Sequence, residues 1–367
     1  MSVESGRWWC AAKRDRRWRC SEPSAEAYAF HRGLDGYAAT PLVSLPELAA
    51  ELGIGFVLAK DESSRLGLPA FKALGASWAI HRVLDGTPGD GPFTLVTATD
   101  GNHGRAVARF ARLMGHRASI VVPSVVHASA VQAIRDEGAE VLVLDASYDE
   151  AVAAAARIAD EDDASILVQD TAWPGYEEIP GWIVEGYTTL FAEIDEQLSG
   201  IGLGHPSLVI VPSGVGSLLQ GALTYYRSRG EPDGTAVVSV EPDSAACVLA
   251  SLSAGEPVTV ETGATIMAGM NCGTTSSLAW PYIANGLDAA IAVTDAADAV
   301  AARDLDRLGI AAGPCGAAGL AALRAALIGD GSQERRAHLG IGADSVAVLI
   351  ITEGAEANPA LGAPGQG

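Results

Sequence analysis

The sequence is poor in cysteine and in positive charge, and each shortage excludes a class of function. Its five cysteines lie far apart and form no CxxC pair, so neither a disulfide framework nor a zinc cluster is expected. Its 24 Lys and Arg residues stand against 45 Asp and Glu, which gives a formal net charge of −21. Because such a charge repels a phosphate backbone, we expect a small-molecule ligand and no nucleic acid.

Long hydrophobic runs and metal-binding histidine spacings are missing as well. No apolar run reaches the roughly 20 residues of a membrane-spanning helix, and the seven histidines contain no HxxxH or HExxH pattern. We therefore expect no membrane contact and no protein-bound metal. The first twenty residues hold six Lys/Arg and three Trp, and no apolar stretch follows them. A secretory signal is not indicated, and a cytoplasmic location is expected.

From residue 94 onward, short β-branched runs alternate with longer alanine-rich stretches. This order predicts an α/β protein with mostly parallel sheets and helices on both faces. A run at 55–63 precedes this region, and a long stretch at 174–198 interrupts it, so we expect a small lobe inserted in a discontinuous large lobe. The predicted strands are 94–99, 119–123, 140–145, 165–170, 207–213, 236–242, 289–294 and 345–352.

The expected domain limits follow from the same pattern. The predicted division is a basic arm at 1–28, the large domain at 29–80 and 173–355, the small domain at 81–172, and a C-terminal tail at 356–367. We expect the basic aromatic arm to be loosely ordered or to pack against another subunit.

The candidate binding site follows from the predicted parallel sheets. Ligands of such sheets bind beyond the carboxyl ends of the strands, so the residues after each strand are the candidate site.

A glycine-rich turn follows the predicted strand at 207–213. In "VPSGVGSLLQG" the strand ends and a helix begins, so successive backbone amides can converge on a phosphate. One alternative is a plain strand-to-helix turn. Another is a dinucleotide site, with Glu241 on the ribose hydroxyls. The candidate phosphate-binding residues are Ser213, Gly214, Val215, Gly216 and Ser217.

A polar turn, "TATDGNHGRAVA", follows the first predicted strand of the small lobe. Its amides, at Asp100, Gly101, Asn102 and His103, are candidates to bind a substrate carboxylate, and the Asn102 side chain can hydrogen-bond a ring oxygen. The residue types also suit an ordinary turn, because Asp, Gly and Asn all tolerate left-handed geometry. His103 is equally suited to a hydrogen bond at the helix start.

The stretch "VQDTAWPGY" places Asp170 at a strand end, with Trp173 and Tyr176 after it. An acid walled by aromatic rings has a raised pKa and can act as a general acid or base. The alternative is a helix or turn cap.

One lysine, Lys72, stands in the apolar segment "PAFKALGASWA". Such a lysine is often a surface residue whose stem lies on apolar neighbours. A desolvated amine, however, has a lowered pKa and readily forms a Schiff base with an aldehyde. Together with a separate phosphate turn, Lys72 suggests pyridoxal 5′-phosphate (PLP), whose pyridine nitrogen would meet a group at a strand end.

Six motifs in order resemble the diaminopropionate ammonia-lyase family of fold-type II, tryptophan synthase β-like PLP enzymes. The similarity runs from about residue 29 to residue 355. The motifs are "KDESSRLGLPAFKALGASWA", "TATDGNHGRAVA", "VQDTAWPGYEEIPGWIVEGY", "PSGVGS", "VEPDSAAC" and "ATIMAGMNCG".

The resemblance implies a role for each matching residue. Lys72 is then the Schiff-base lysine, Asn102 packs beside the cofactor ring, residues 214–217 hold the phosphate, and Thr352 lies at the pyridine nitrogen. Asp100 and Asp170 match acids that transfer protons or recognise the distal amine of the substrate. The implied activity is PLP-dependent elimination of 2,3-diaminopropionate to pyruvate and ammonia by a homodimer.

Three departures from the family pattern leave a second function open. Pro314 and Cys315 replace an expected glutamate and serine, Ala355 replaces an expected aspartate, and "TTSSLAW" lacks an expected proline. The alternative is β-elimination or β-replacement on another amino acid, such as serine, O-activated serine or threonine. A nucleotide-binding oxidoreductase and a non-catalytic PLP-binding protein are the remaining interpretations.

Overall fold

The computed structural model describes residues 7–11, 15, 17–87, 91–229 and 234–357. Parts of the predicted arm (1–6, 12–14 and 16) and most of the predicted tail (358–367) lie outside these ranges. Each predicted strand has a counterpart. The strands are β1 (Arg7–Cys10), β2 (Leu42–Ser44), β3 (Phe56–Asp61), β4 (Thr94–Ala98), β5 (Arg117–Pro123), β6 (Glu140–Leu144), β7 (Ser165–Leu167), β8 (Leu208–Pro212), β9 (Ala236–Pro242), β10 (Ala289–Val293) and β11 (Val346–Ile351).

Helices connect most of these strands, as βαβ units require. Three short 3₁₀ turns, at Arg65–Gly67, Ala268–Met270 and Ala355–Ala357, complete the described elements. The helices are α1 (Glu26–Arg32), α2 (Pro46–Leu52), α3 (Lys72–Gly86), α4 (Asn102–Leu113), α5 (Ala128–Asp136), α6 (Tyr148–Asp160), α7 (Glu178–Gly200), α8 (Ser217–Arg227), α9 (Cys247–Ala254), α10 (Trp280–Gly286), α11 (Asp295–Arg307), α12 (Pro314–Leu327) and α13 (Ser332–Leu339).

The strands form a large and a small sheet. The seven-stranded sheet has the order β1-β10-β9-β8-β11-β3-β2, and the four-stranded sheet has the order β6-β5-β4-β7. Neighbouring strands run parallel, except at the two edges of the large sheet. There β1 pairs antiparallel with β10, and β2 pairs antiparallel with β3. All strands of the small sheet fall between β3 and β8 in the chain, which confirms the predicted insertion of a small lobe in a discontinuous large one.

The large sheet has a hydrophobic core on each face. Val57 and Ala59 of β3 belong to the core that includes α2, α11 and α12, whereas Leu58 belongs to the core that includes α7 and α8. This alternation follows from the two-residue period of a strand. Helices therefore cover both faces, as predicted.

The described part of the N-terminal arm is more ordered than a loose tail, and its packing against another subunit stays a prediction. Arg7–Cys10 pairs antiparallel with Ala289–Ala292 at the edge of the large sheet. Successive side chains of a strand point to opposite faces of the sheet. Trp8 therefore packs against one hydrophobic core and Trp9 against the other, and this packing holds the segment on the sheet.

Helices α3 and α7 cross at very short range. A Cβ atom on Gly75 would lie 2.5 Å from Cε1 of Tyr187, and one on Gly186 would lie 2.6 Å from the carbonyl oxygen of Leu74. Glycine is needed at both positions, and α3 is held firmly on α7. The predicted domain limit between residues 80 and 81 falls inside α3. In the described part of the chain, no helix has the length and apolar character needed to cross a membrane.

Candidate active site

The ends of both sheets meet at one central cavity. The carboxyl ends of β4, β8 and β11 and the N-termini of α3, α4, α6 and α8 surround it, as expected for parallel strands. Eleven of the twelve predicted site residues line it: Lys72, Asp100, Gly101, Asn102, His103, Asp170, Gly214, Val215, Gly216, Ser217 and Thr352.

Ser213 is the exception among the predicted residues. Its hydroxyl donates to the carbonyl oxygen of Val211 at 3.1 Å, so its side chain stays on its own strand. The hydroxyl of Ser217 donates to the carbonyl oxygen of Asp170 at 2.8 Å, which ties the glycine turn to the segment after β7.

Lys72 begins α3 next to the end of β11. The N–H of the preceding residue, Phe71, donates to the carbonyl oxygen of Thr352 at 3.1 Å, and Ala70 pairs with Glu353 in a β-bridge. These backbone contacts bring the lysine and the end of β11 to the same cavity, although the two are far apart in the chain.

Fully buried ion pairs anchor the segment that leads to Lys72. Arg65 binds Glu62 at 2.7 Å and Glu193 of α7 at 2.6 Å, and Lys60 of β3 binds Glu193 at 2.6 Å. All four side chains have an exposed fraction of 0%. A buried charge that loses its partner is strongly destabilising, so this buried ion-pair network holds the segment in one place.

Lys72 and Asp170 form an ion pair inside the cavity, with Nζ 2.5 Å from Oδ2. Burial lowers the pKa of Lys72, but the Asp170 carboxylate outweighs burial and holds that pKa above its usual range. Burial also raises the pKa of Asp170, but the charges of His103 and Lys72 outweigh it and hold the pKa well below its usual range. The expected directions, a lowered pKa for the lysine and a raised pKa for the aspartate, were therefore wrong for the free protein.

Of the two aspartates in the cavity, Asp100 is the one whose pKa is raised. Burial, assisted by the nearby Asp170 charge, raises the pKa of Asp100 to about 7. A group with such a pKa exchanges protons readily near neutral pH. His103 lies beside it, and its Nε2 must donate to the carbonyl oxygen of Val168, at 2.8 Å, because a carbonyl can only accept. The side chain of His103 thus makes the expected helix-start hydrogen bond.

The N-terminus of α4 offers backbone donors. The hydroxyl oxygen of Thr99 accepts from the N–H of Gly101 at 2.9 Å and from the N–H of Gly104 at 3.1 Å. Within the described ranges, the N–H groups of Asn102 and His103 have no acceptor. These two donors at a positive helix end suit a carboxylate.

The turn after β8 depends on its glycines. A Cβ on Gly214 would lie 3.0 Å from Sγ of Cys272, and one on Gly216 would lie 2.9 Å from Cδ1 of Ile283. Gly216 also has a φ of 99°, a left-handed value that favours glycine. The turn therefore presents bare backbone at the start of α8, which is the geometry that binds phosphate.

Thr352, just after β11, has a buried hydroxyl. The residue is 4% exposed, and among the described residues its Oγ1 has no hydrogen-bond partner. An unsatisfied buried hydroxyl is costly, so one facing a cavity indicates a polar atom of a ligand. An amine, a phosphate turn and this hydroxyl around one cavity match the three polar ends of PLP.

Comparison with known proteins gives a consistent result. The family described as pyridoxal-phosphate dependent enzyme matches residues 34–352. The diaminopropionate ammonia-lyase of Escherichia coli K12 is 37% identical over 89% of this chain and 87% of that enzyme. The enzyme of that name from Salmonella typhimurium LT2 is also 37% identical, over 90% of this chain and 88% of its own.

Solved structures agree with the sequence matches. The E. coli lyase in complex with an aminoacrylate-PLP azomethine reaction intermediate has a TM-score of 0.85 and 35% identity, covering 97% of this chain and 96% of that one. The chain belongs to the diaminopropionate ammonia-lyase family of pyridoxal-phosphate dependent enzymes. The predicted family, fold class and cofactor are confirmed. A more distant structure, that of maize serine racemase, has a TM-score of 0.75 and 26% identity, covering 90% of this chain and 93% of its own.

In this member of the diaminopropionate ammonia-lyase family the aromatic walls differ from the prediction. Trp173 and Tyr176 stack on each other, with centroids 4.5 Å apart, and neither lines the central cavity. Phe71 and Tyr148 line it instead. A signal for Tyr148 exists, because Ser147 and Glu150 form a capping box that starts a helix directly after β6.

Two other residues also have roles that the sequence did not reveal. Glu241 accepts from the N–H groups of Val248 at 2.7 Å and Leu249 at 2.9 Å, so it caps α9 and is not available to a ribose. The dinucleotide interpretation is therefore wrong. Cys272, from the motif "MNCG", lines the central cavity.

The residues that depart from the pattern of the diaminopropionate ammonia-lyase family differ in whether they line the central cavity. Cys315 lines the central cavity, and Pro314 is the first residue of α12. Ala355 does not line the cavity, and its N–H donates a hydrogen bond to the carbonyl oxygen of Ala311 at 2.9 Å. Of Pro314, Cys315 and Ala355, it is thus Cys315 that lines the cavity.

Proposed function

We propose that this chain catalyses the PLP-dependent α,β-elimination of 2,3-diaminopropionate to pyruvate and two ammonia molecules. The observation that carries the proposal is the pair of acids beside one amine, because Asp170 contacts Lys72 and the pKa of Asp100 is coupled to both. Two carboxyl groups in a cavity suit a substrate that carries a second cationic amine. The names of the E. coli and S. typhimurium relatives support the same substrate.

Different residues of this chain bind the substrate and the cofactor. The free N–H groups of Asn102 and His103 bind the substrate carboxylate, while the turn at 214–217 and Thr352 hold the two ends of PLP. When bound, PLP supplies an electron sink for the negative charge that develops at the α-carbon. These assignments are proposals that rest on the cavity geometry.

Proton transfer requires that Lys72 leave its ion pair with Asp170 and give up its ammonium proton to solvent. The neutral lysine amine then takes the α-proton of one enantiomer, and Asp100, with its pKa of about 7, takes that of the other. Asp170 stays ionised and holds the β-ammonium group of the substrate. When the C–N bond breaks, its electron pair goes to nitrogen, so the group leaves as neutral ammonia without an added proton. The released enamine takes up water and gives pyruvate and the second ammonia.

The decisive experiment supplies the purified holoenzyme with D- and L-2,3-diaminopropionate and measures pyruvate and ammonia. We expect one pyruvate and two ammonia molecules per turnover. Lys72→Ala, saturated with PLP, serves as the inactive control. A protein that converts neither enantiomer while its wild-type spectrum shows bound PLP would disprove the proposed substrate.

The second candidate, elimination or replacement on another β-substituted alanine, has one specific observation in its favour. Cys315 stands in the cavity where the family pattern has a serine. The same assay with D- and L-serine, O-acetylserine and threonine, with and without an added thiol, separates the two. Faster turnover of any of these than of 2,3-diaminopropionate would favour the second candidate.

We further propose a cytoplasmic homodimer in which the small domain ends at residue 172 and the second part of the large domain begins at residue 173. The cytoplasm is supported by the cysteines, since all five are free thiols and reduced thiols persist in a reducing compartment. Sedimentation of the holoenzyme tests the dimer, and limited proteolysis around residues 172 and 173 tests the domain limits.

A further inference from the structure

We propose that Glu353 is a positioning residue that fixes the Asn102 side chain beside the cofactor. Nδ2 of Asn102 donates to Oε2 of Glu353 at 2.6 Å, and Glu353 is only 2% exposed. The proposal rests on PLP as cofactor and on the predicted place of Asn102 beside the ring. It does not depend on the identity of the amino-acid substrate.

The carboxyl group of Glu353 is itself held on its other side. Its Oε1 accepts from the N–H of Cys315 at 3.3 Å. A Cβ on Gly313 would lie 3.0 Å from the same Oε1, so the space that the carboxyl group fills exists only because residue 313 is glycine. The Glu353 backbone is fixed as well, because it pairs with Ala70 and its carbonyl oxygen accepts from the Gly313 N–H at 2.9 Å.

The two hydrogen bonds to Glu353 determine which end of the Asn102 amide faces it. Both carboxyl oxygens act as acceptors, one for Cys315 and one for Asn102. In this arrangement both oxygens accept, so it is the nitrogen end of the Asn102 amide that faces Glu353. The second hydrogen of this nitrogen is then available for a ring oxygen of the cofactor.

The hydrogen bond also crosses the central cavity. Asn102 begins α4, which follows the small sheet, whereas Glu353 follows β11 of the large sheet, 251 residues later in the chain. A contact of this kind sets the place of Asn102 relative to Thr352, the neighbour of Glu353. We infer that Glu353 aligns the small-sheet side of the cofactor site with the large-sheet side.

A double-mutant cycle tests the proposal. The PLP dissociation constant and the visible absorption maximum are measured for the wild type, Glu353→Ala, Asn102→Ala and the double variant. Losing a hydrogen bond to a charged group predicts an approximately tenfold weaker PLP binding for Glu353→Ala. If Glu353 acts through Asn102, the double variant binds PLP no more weakly than Asn102→Ala alone.

Two further variants separate positioning from general loosening. Ser277→Ala removes another long-range hydrogen bond, from Ser277 Oγ to the carbonyl oxygen of Ala172 at 3.3 Å, at a residue that does not line the central cavity. We expect its PLP affinity and spectrum to equal those of the wild type. Glu353→Gln keeps the volume but only one acceptor oxygen, so we expect a spectrum shifted from the wild type with little change in thermal stability.

Three results would overturn the proposal. The first is additive effects of the two alanine substitutions in the double variant. The second is a loss of PLP affinity in Ser277→Ala as large as that in Glu353→Ala. The third is a wild-type spectrum and affinity in Glu353→Gln. If Glu353→Ala does not fold, the cycle is run with Glu353→Gln in its place. None of these readouts uses turnover, so they remain valid even if 2,3-diaminopropionate is not the substrate.

Discussion

The two sides of the central cavity differ in the groups that they present to a ligand. On the large-sheet side, shape comes from backbone, with Gly214 and Gly216 where a Cβ would lie 3.0 Å and 2.9 Å from a neighbouring side chain. Polar side chains on that side include the buried Thr352 hydroxyl and the Glu353 carboxyl group. On the small-sheet side, charge dominates, because Asp100 and Asp170 have pKa values displaced in opposite directions. The comparison indicates that cofactor affinity depends on the first side and proton chemistry on the second. Substitutions on the two sides should therefore affect different measurements.

The largest effect is expected for Lys72, which lies between the two sides. Lys72→Ala removes the amine that is predicted to bind PLP covalently, so we expect turnover to fall by about 10³-fold or more. A visible band near roughly 410–420 nm should be lost or displaced at the same time. Lys72→Arg is the matched control for charge, because it keeps a positive charge beside Asp170 but removes the lysine amine. Turnover in Lys72→Ala within tenfold of the wild type would exclude the lysine from catalysis.

Asp170 should be the next most sensitive residue. Asp170→Asn removes the carboxylate that holds Lys72 and the β-ammonium group, so kcat/KM for 2,3-diaminopropionate should fall by about 10²- to 10³-fold. Any turnover of serine should fall less, since serine has no β-ammonium group. Steady-state kinetics on both substrates provides the check. Equal losses would show that Asp170 does not recognise the distal amine.

Asp100 should appear in the pH profile. Because its pKa is about 7, it is protonated below that pH and becomes a base as the pH rises through 7. The kcat/KM for the enantiomer that needs Asp100 should rise across this interval. In Asp100→Asn the rise should be absent and the rate for that enantiomer low, while the other enantiomer retains its profile. An unchanged rise in the variant would assign the titration to another group.

On the large-sheet side, Gly216→Ala should weaken PLP binding without changing the pH profile. Both the left-handed φ of 99° and the close approach of Ile283 oppose a methyl group there. We expect at least about tenfold weaker PLP binding from the displaced turn. Gly255→Ala is the matched control, because its φ of 81° is also left-handed but nothing lies within 4 Å. It should lower the free energy of unfolding by about 1 kcal/mol and leave PLP affinity intact.

The smallest effect is expected for Thr352→Val. In the apoprotein the substitution removes a buried hydroxyl that has no partner among the described residues, so thermal stability should stay equal or rise slightly. In the holoenzyme it removes a hydrogen bond to the cofactor, so PLP affinity should fall a few-fold, by about 1 kcal/mol. Melting curves of both forms test the difference. A destabilised apoprotein would show that the hydroxyl has a structural partner.

The sequence predicted local features well. β-branched runs located the strands, the glycine turn and Lys72 were recognised from their residue types, and β9 (Ala236–Pro242) matched its predicted bounds. These features depend on short-range periodicity and backbone chemistry, which a single sequence carries. Their assignment to PLP chemistry came from the motif resemblance.

The remaining features depend on contacts between distant parts of the chain. The pKa direction of Asp170 was wrong because the sequence does not show that Lys72 lies 2.5 Å away. The pairing of Glu353 with Asn102 and the strand formed by Arg7–Cys10 were missed for the same reason. Burial of a single group can be predicted from its neighbours in sequence, whereas the charge beside it cannot.

The buried ion-pair network before Lys72 also constrains how this family can evolve. Lys60, Glu62, Arg65 and Glu193 neutralise one another with no exposure to solvent. A substitution that leaves one of these charges unpaired costs about 3–5 kcal/mol, a large part of the stability of a domain. Single substitutions in this set should therefore destabilise the fold strongly, whereas joint replacement of paired charges need not. The segment that presents the lysine should vary slowly between descendants, even where the substrate changes.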